Sequence, residues 1–124
     1  SFPPRQGLEL FLDECDKRKI RVVTSSDAEI EAVKRDLNIS LGLVLERNLS
    51  IERFSNFFCL DRIGGKDYSP IIGHYDIASS ELLVIDDRHC NIISALRQGC
   101  LAVHCPEYMI DGEREWDFSK INLQ

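Results

Sequence analysis

Short apolar runs that end in polar residues alternate with helical patterns along this chain. The clearest run is Leu82–Ile85, which leads directly into Asp86 and Asp87, and similar runs occur at Ile20–Thr24 and Leu101–His104. Runs of this length and β-branched content are typical of buried strands. Because strands that alternate with helices favour a parallel sheet covered on both faces, the sequence predicts an α/β fold with a doubly wound, Rossmann-like sheet.

Four helical patterns surround these strands. Apolar residues recur at helical spacing from Leu8 to Cys15, and the pair Ser26 and Glu29 has the spacing of a capping box that would begin a second helix. A short third helix is predicted within residues 66–74, and a fourth follows the aspartates and stops at Gly99.

The remaining segments are less regular. A further strand is predicted at Leu43–Leu45, and the phenylalanines between residues 54 and 58 are expected to pack beneath a loop or a short strand. The tail from residue 107, which carries Trp116 and Phe118, is expected to pack down as an extension.

Length and charge narrow the class of protein. The 124 residues, 44% of them hydrophobic, suit one domain spanning residues 1–124. A net charge of −6 argues against nucleic acid or an anionic membrane as the main partner. No apolar run approaches the roughly 18–20 residues of a membrane span.

The five cysteines have no regular framework spacing. An odd number of them predicts free thiols in a reducing compartment, so we expect a cytoplasmic or nuclear location. The His89–Cys105 segment also raises the alternative of a zinc site, but it lacks the closely spaced ligand pairs of such sites, and buried small hydrophobes are the favoured interpretation.

Two aspartates follow the strongest strand. Adjacent carboxylates at a sheet edge repel each other unless a cation lies beside them, and an oxygen-only ligand set suits Mg²⁺. Asp86 and Asp87 are therefore candidate metal ligands. The alternative is that one of them caps the next helix while the other is solvated.

Hydroxyl groups and a lysine could hold a phosphoryl group near the same edge. Thr24, Ser25 and Ser26 are predicted at a strand end that leads into a helix N-terminus, where oxyanions are favoured. Lys66 follows two glycines, so its amine could reach a phosphate. Each of these features alone has an ordinary structural explanation, as a helix cap or a surface cation.

The order of these features resembles the haloacid dehalogenase-like (HAD) phosphatase superfamily, closest to its small capless members of the magnesium-dependent and carboxy-terminal-domain phosphatase types. The likeness covers residues 4–106. The segments that carry it are Arg21–Ser26, Gly64–Asp67 and Leu82–Ile92, which match the second, third and fourth motifs of the family.

The resemblance implies Mg²⁺-dependent hydrolysis of a phosphomonoester through an aspartyl-phosphate. Thr24 would bind the transferring phosphoryl group, with Ser25 and Ser26 beside it, and Lys66 would neutralise its charge. Asp86 and Asp87 would hold Mg²⁺. A missing cap is associated by analogy with macromolecular substrates, so a phosphorylated substrate, including a phosphoprotein, is expected.

The family's nucleophile motif, D-x-D-x-[TV] after an apolar strand, is absent from this chain. Without that strand a HAD-like core lacks its first and central strand, which would leave facing rows of unpaired backbone groups. We expect the strand to come from residues outside this chain, from a partner or second copy, or from the tail at Trp116–Leu123. On the resemblance we therefore expect the chain to be either a fragment of a larger phosphatase-like protein or a degenerate, non-catalytic relative.

Two other classes remain open. A catalytically inactive HAD-like domain could serve as a protein-interaction module. Leu82–Val103 also looks like the opening of a receiver domain, whose paired acids bind Mg²⁺. That interpretation needs a phospho-accepting aspartate after another β-α unit, and Asp111 and Asp117 come too early in the sequence, without a further apolar strand between His104 and either of them.

Overall fold

The computed structural model describes residues 3–43, 48–61, 63–107 and 116–123. Within these ranges the helices are α1 (Leu8–Lys17), α2 (Ile30–Gly42), α3 (Ser69–Tyr75) and α4 (His89–Arg97). The strands are β1 (Val23–Ser26), β2 (Asn56–Cys59), β3 (Leu83–Asp86) and β4 (Leu101–His104). Single turns of 3-10 helix lie at Ile51–Arg53, Ser79–Glu81 and Phe118–Lys120.

The described strands pair as two separate parallel sheets of two strands each. Strand β1 pairs with β2, and β3 pairs with β4. A helix connects the strands of each pair, so each sheet is a β-α-β unit. The prediction of an α/β fold with parallel strands is confirmed. That these strands belong to one doubly wound, HAD-like sheet stays a prediction.

The chain divides into two compact units. The first comprises Ser1–Cys59 and Trp116–Gln124, and the second comprises Leu60–Glu115. In the first unit, α2 packs on β2 and on the 3-10 turn before it. Its buried apolar side chains are contributed by α1 and α2: Phe11, Leu12, Cys15 and Leu41.

The tail of the chain packs on α1 within the first unit. The Phe118 N–H donates to Gln6 O (2.9 Å), and the Phe118 ring lies 5.5 Å from that of Phe11. A Cβ placed on Gly7, at φ +79°, would meet the Ser119 nitrogen at 2.7 Å, so this approach requires glycine. The expected packed-down tail is confirmed for residues 116–123. The option that it fills a strand position is wrong, because it forms a 3-10 turn held against a helix.

In the second unit, α4 packs against both β3 and β4. The buried apolar residues of this unit are Leu60, Tyr68, Ile71, Val84, Ala95, Cys100 and Cys105. Fully burying one large apolar side chain contributes about 1.5–3 kcal/mol, so this small core orders the end of β3 and the start of α4.

Several predicted element boundaries shift. The first strand begins at Val23 rather than Ile20, and α2 begins at Ile30. The capping box is wrong, because Ser26 lies in β1 and its Oγ accepts the Ala28 N–H (3.1 Å). The predicted strand Leu43–Leu45 falls mostly on residues 44–47, which lie outside the described residues, and Leu43 itself ends α2.

All five cysteines are free. Within the His89–Cys105 segment, Cys100 and Cys105 are buried, as expected for small hydrophobes, whereas Cys90 is exposed, so that interpretation is wrong for Cys90. Outside this segment, Cys15 is buried and Cys59 is exposed. Burial raises the pKa of the Cys15 and Cys100 thiols. Within the described ranges, no helix has the length and apolar character needed to cross a membrane.

Candidate functional site

Asp86 is the last residue of β3, and its carboxylate is held by backbone and side-chain donors. Its Oδ1 accepts the Arg88 N–H at 2.9 Å. Arg88 is the residue before α4, so this bond links the strand end to the helix start. The capping alternative is wrong, because Arg88 and not an aspartate is the N-cap of α4; Asp86 instead orders the turn that leads into the helix.

Lys66 lies beside Asp86 although 20 residues separate them in the sequence. The Lys66 Nζ is 3.8 Å from Asp86 Oδ2, and the two side chains are only 8% and 13% exposed. A lysine this buried is stable as a cation only when an anion is close. The structure thus brings together two of the residues that the sequence singles out, at the carboxyl end of β3.

Asn91 connects the two charged residues. Its Nδ2 donates to Asp86 Oδ2 (3.0 Å), and its Oδ1 accepts the Lys66 N–H (3.1 Å). The side chain is 1% exposed, so both bonds are shielded from water. One amide therefore fixes the carboxylate and the backbone of the lysine at the same time.

The loop that carries Lys66 is held on α4 by further polar side chains. Lys66 O accepts from Ser94 Oγ (2.7 Å) and from Gln98 Nε2 (2.9 Å). Gln98 Oε1 accepts the Tyr68 N–H (2.8 Å). Three backbone groups of the loop, the Lys66 N–H, the Lys66 carbonyl and the Tyr68 N–H, are therefore paired with side chains of α4 or of the residue after it, which defines the position of the lysine.

Gly65 permits the close approach of this loop to α4. It has φ +109°, and a Cβ at this position would lie 2.7 Å from Ser94 Cβ and 2.9 Å from the Cys90 carbonyl oxygen. No residue with a side chain fits there without displacement of the loop. The glycine next to the lysine is thus explained by packing as well as by a turn.

Asp87 stands next to this pair, and a stacked pair of histidines lies near it. The Asp87 carbonyl accepts from His104 Nε2 (3.0 Å), which places the proton on that nitrogen. The rings of His89 and His104 are 4.2 Å apart and inclined by 22°. Asp86 is partly exposed, as is Asp87.

The residues present fit a magnesium ion only if few of its ligands come from the protein. In the described part of the chain, no group of three His, Cys, Asp or Glu side chains is arranged to hold a metal. Mg²⁺, however, is commonly bound by one or two carboxylates and completed by waters and substrate phosphate. Asp86 and Asp87 meet that minimum and would be the residues that hold it.

The structure places the predicted hydroxyl residues in the other unit. Thr24, Ser25 and Ser26 lie within β1 and pair in register with residues 57–59 of β2. The expectation that Ser25 and Ser26 follow the strand at a helix N-terminus is therefore wrong, because β1 runs later than its apolar residues indicate. The Thr24 Oγ1 is buried without a hydrogen-bond partner in the described ranges.

Tyr68 is a second buried hydroxyl. The residue is 1% exposed, and its OH has no partner among the described residues. Burial is the larger cause, and the negative charge of Asp86 the next, of a pKa of this phenol well above its usual value. The hydroxyl therefore stays protonated throughout the physiological range.

Sequence reasoning missed the part of α4 that faces the loop. Asn91, Ser94 and Gln98 are spaced three and four residues apart, so they form one polar stripe on an otherwise apolar helix. That spacing was the available signal, since polar residues on the inner side of a helix need buried partners. Neither the family models nor the curated proteins nor the solved structures that we compared with the chain contain a match.

Proposed function

We propose that the second unit carries the lysine and metal half of a HAD-like phosphatase site. It would support Mg²⁺-dependent hydrolysis of a phosphomonoester when a strand bearing the aspartate nucleophile is supplied from outside this chain. The observation that carries the proposal is the buried Lys66–Asp86 pair, with 3.8 Å between Nζ and Oδ2, at the carboxyl end of β3.

The chemistry of phosphoryl transfer explains why this pair matters. The transition state spreads negative charge over the phosphoryl oxygens, and catalysis consists mainly of positioning and charge neutralisation. Lys66 supplies a positive charge in a water-poor setting, where its effect on an oxyanion is strong. Asp86, with Asp87, would hold Mg²⁺, which when bound neutralises further phosphate charge.

The predicted roles of Thr24, Ser25 and Ser26 in phosphoryl binding remain predictions. The substrate class is a phosphorylated molecule, and a phosphoprotein is the favoured one by analogy with capless relatives.

The place for the missing strand is the open edge of β3. Within the described residues, β3 pairs with β4 alone. Two-stranded sheets are marginal in isolation, and parallel ones are normally covered and extended. A parallel strand added at this edge would end beside Asp86, because the carboxyl ends of parallel strands share one edge. Such a strand would come from a longer form of the protein, from a partner protein or from a second copy.

A linked-strand experiment tests the proposal. A peptide with an apolar strand followed by D-x-D-x-T is joined to the N-terminus through a flexible Gly/Ser linker, which raises its effective concentration at the site. Hydrolysis of p-nitrophenyl phosphate is measured with and without Mg²⁺. We expect Mg²⁺-dependent turnover that is lost when the first added aspartate becomes asparagine.

Two variants of the chain itself serve as matched controls. Asp86→Asn in the linked protein should abolish turnover, whereas Asp76→Asn, an exposed residue after α3, should leave it unchanged. Turnover that survives Asp86→Asn, or a folded linked protein without Mg²⁺-dependent turnover, would contradict the proposal.

A non-catalytic interaction module is the second candidate. It is favoured by the fact that Asp86 already accepts from Asn91 and Arg88 and is paired with Lys66. A carboxylate so engaged can serve structure alone. In that case the linked strand would stabilise the chain against urea without producing hydrolysis, and Mg²⁺ would not change the stability.

A further inference from the structure

We propose that Gln98 is a positioning residue that sets the place of the Lys66 ammonium opposite Asp86. The inference rests on the proposed function, since it assigns a role in the same phosphate site. Gln98 lies just after α4, two turns along the helix from Asn91, and it was not among the residues that the sequence analysis selected.

The carboxamide of Gln98 pairs with the loop backbone on both sides of Asp67. Its Nε2 donates to Lys66 O (2.9 Å), and its Oε1 accepts the Tyr68 N–H (2.8 Å). The Gln98 carboxamide therefore pairs with one backbone acceptor and one backbone donor of the loop, as the backbone of a neighbouring strand would. It therefore fixes the direction in which the backbone passes the end of β3.

A network of further bonds keeps the Gln98 side chain in place. Nε2 also lies 2.9 Å from Ser94 Oγ, which itself donates to Lys66 O at 2.7 Å. The helix thus presents two donors to one carbonyl oxygen. Asn91 holds the other side of the same residue, through the Lys66 N–H. Because both backbone groups of Lys66 are bound, its side chain leaves the loop from a defined point toward Asp86.

The consequence is specific to the lysine. Among the described residues no hydrogen bond joins Gln98 to Asp86, so its effect on the phosphate site would pass through the Lys66–Tyr68 backbone that it binds. Replacing the amide by a carboxylate, as in Gln98→Glu, removes both N–H donors and places a negative charge beside Lys66 O. The carboxylate can still accept from Tyr68, so only one side of the clamp is lost.

A double-mutant cycle tests the role. Binding of inorganic phosphate in the presence of Mg²⁺ is followed by ³¹P NMR in the full chain, in Gln98→Glu, in Lys66→Met and in the double variant. We expect Gln98→Glu to weaken binding about tenfold, the effect of losing about one hydrogen bond to a functional group. In the Lys66→Met background the same change should have no further effect. Gln6→Glu is the control, because it makes the same chemical change at an exposed residue just before α1, and it should leave binding unchanged.

Amide hydrogen exchange separates this inference from the proposed function. Gln98→Leu removes the acceptor for Tyr68 N–H, so exchange of that amide should accelerate at least tenfold relative to core amides of β3. If exchange accelerates while the unaltered chain binds no phosphate, the clamp stands and the proposed function fails. If exchange and phosphate binding are both unchanged in the Gln98 variants, or if Gln98→Glu weakens binding equally in the Lys66→Met background, the inference is overturned.

Discussion

Substitution of Gly65 by alanine tests the packing that delivers Lys66 to its site. At φ +109°, a residue with a side chain is strained, which costs about 1–3 kcal/mol. The new Cβ would also lie 2.7 Å from Ser94 Cβ and 2.9 Å from Cys90 O. Overpacking of this kind typically costs about 1–3 kcal/mol more. We therefore expect Gly65→Ala to lower the free energy of unfolding by about 2–6 kcal/mol in urea titrations.

Two neighbouring glycines provide matched controls. Gly64 has φ +72° and would place a Cβ with nothing within 4 Å, so Gly64→Ala should cost only the backbone term, about 1–2 kcal/mol. Gly73 lies in α3 with open space around it, and Gly73→Ala should be neutral or stabilising by up to about 1 kcal/mol. If Gly65→Ala costs no more than Gly64→Ala, the close approach of the loop to α4 is refuted.

Three further outcomes follow from buried or charged groups. Tyr68→Phe should raise the free energy of unfolding by about 1 kcal/mol, because the lost hydroxyl has no partner in the described structure; a loss of similar size would reveal a hidden partner. Hydrogen bonds from Ser119 lower the pKa of Asp117 in the folded protein. The ionised carboxylate therefore stabilises the fold at pH values above the pKa of the unfolded chain, near 4, and this stabilisation is lost as the pH falls through the lower pKa of the folded protein. Asp117→Asn should therefore flatten the dependence of the free energy of unfolding on pH as the pH falls below the unfolded value near 4, and an unchanged dependence would contradict this. Arg53→Lys should destabilise the first unit by about 1–3 kcal/mol, because its guanidinium, 11% exposed, binds two carboxylates of α1 and a loop carbonyl; equal unfolding curves would show that one point charge suffices.

The sequence predicted the strands whose apolar runs are flanked by charge and followed by helices. β3, α4 and β4 occur where Leu82–Ile85, Gly99 and Leu101–His104 place them, within a residue or two. The first strand was misplaced because the polar residues Thr24–Ser26 pair with β2, and pairing register is a tertiary property that local β propensity does not contain.

The residues of the candidate site were found separately from local patterns, and only the family resemblance assigned them to one site. The aspartates after β3 were found from the strand-end rule, and Lys66 from its place after two glycines. Nothing local states that Lys66 and Asp86 meet, since their contact depends on how Asn91, Ser94 and Gln98 hold the intervening loop. Those side chains form the stripe that a search for helix faces with buried polar residues would select.

Paramagnetic relaxation is the most direct test of whether the Lys66–Asp86 pair marks a divalent-cation and phosphate site. Mn²⁺ shares the preference of Mg²⁺ for oxygen ligands and broadens nearby NMR signals. The ¹H–¹⁵N spectrum of the chain is recorded during titration with Mn²⁺. The same titration is made with Asp86→Asn, with Asp87→Asn, which leaves the ion pair intact, and with the control Asp76→Asn.

We expect broadening to begin at the amides of Asp86–Asn91 and Lys66, and added Mg²⁺ to reverse it by competition. The broadening should be weaker in Asp87→Asn and absent in Asp86→Asn. The control should match the unaltered chain. Broadening spread over the acidic surface, or centred elsewhere and unaffected by Asp86→Asn in a folded protein, would contradict the account.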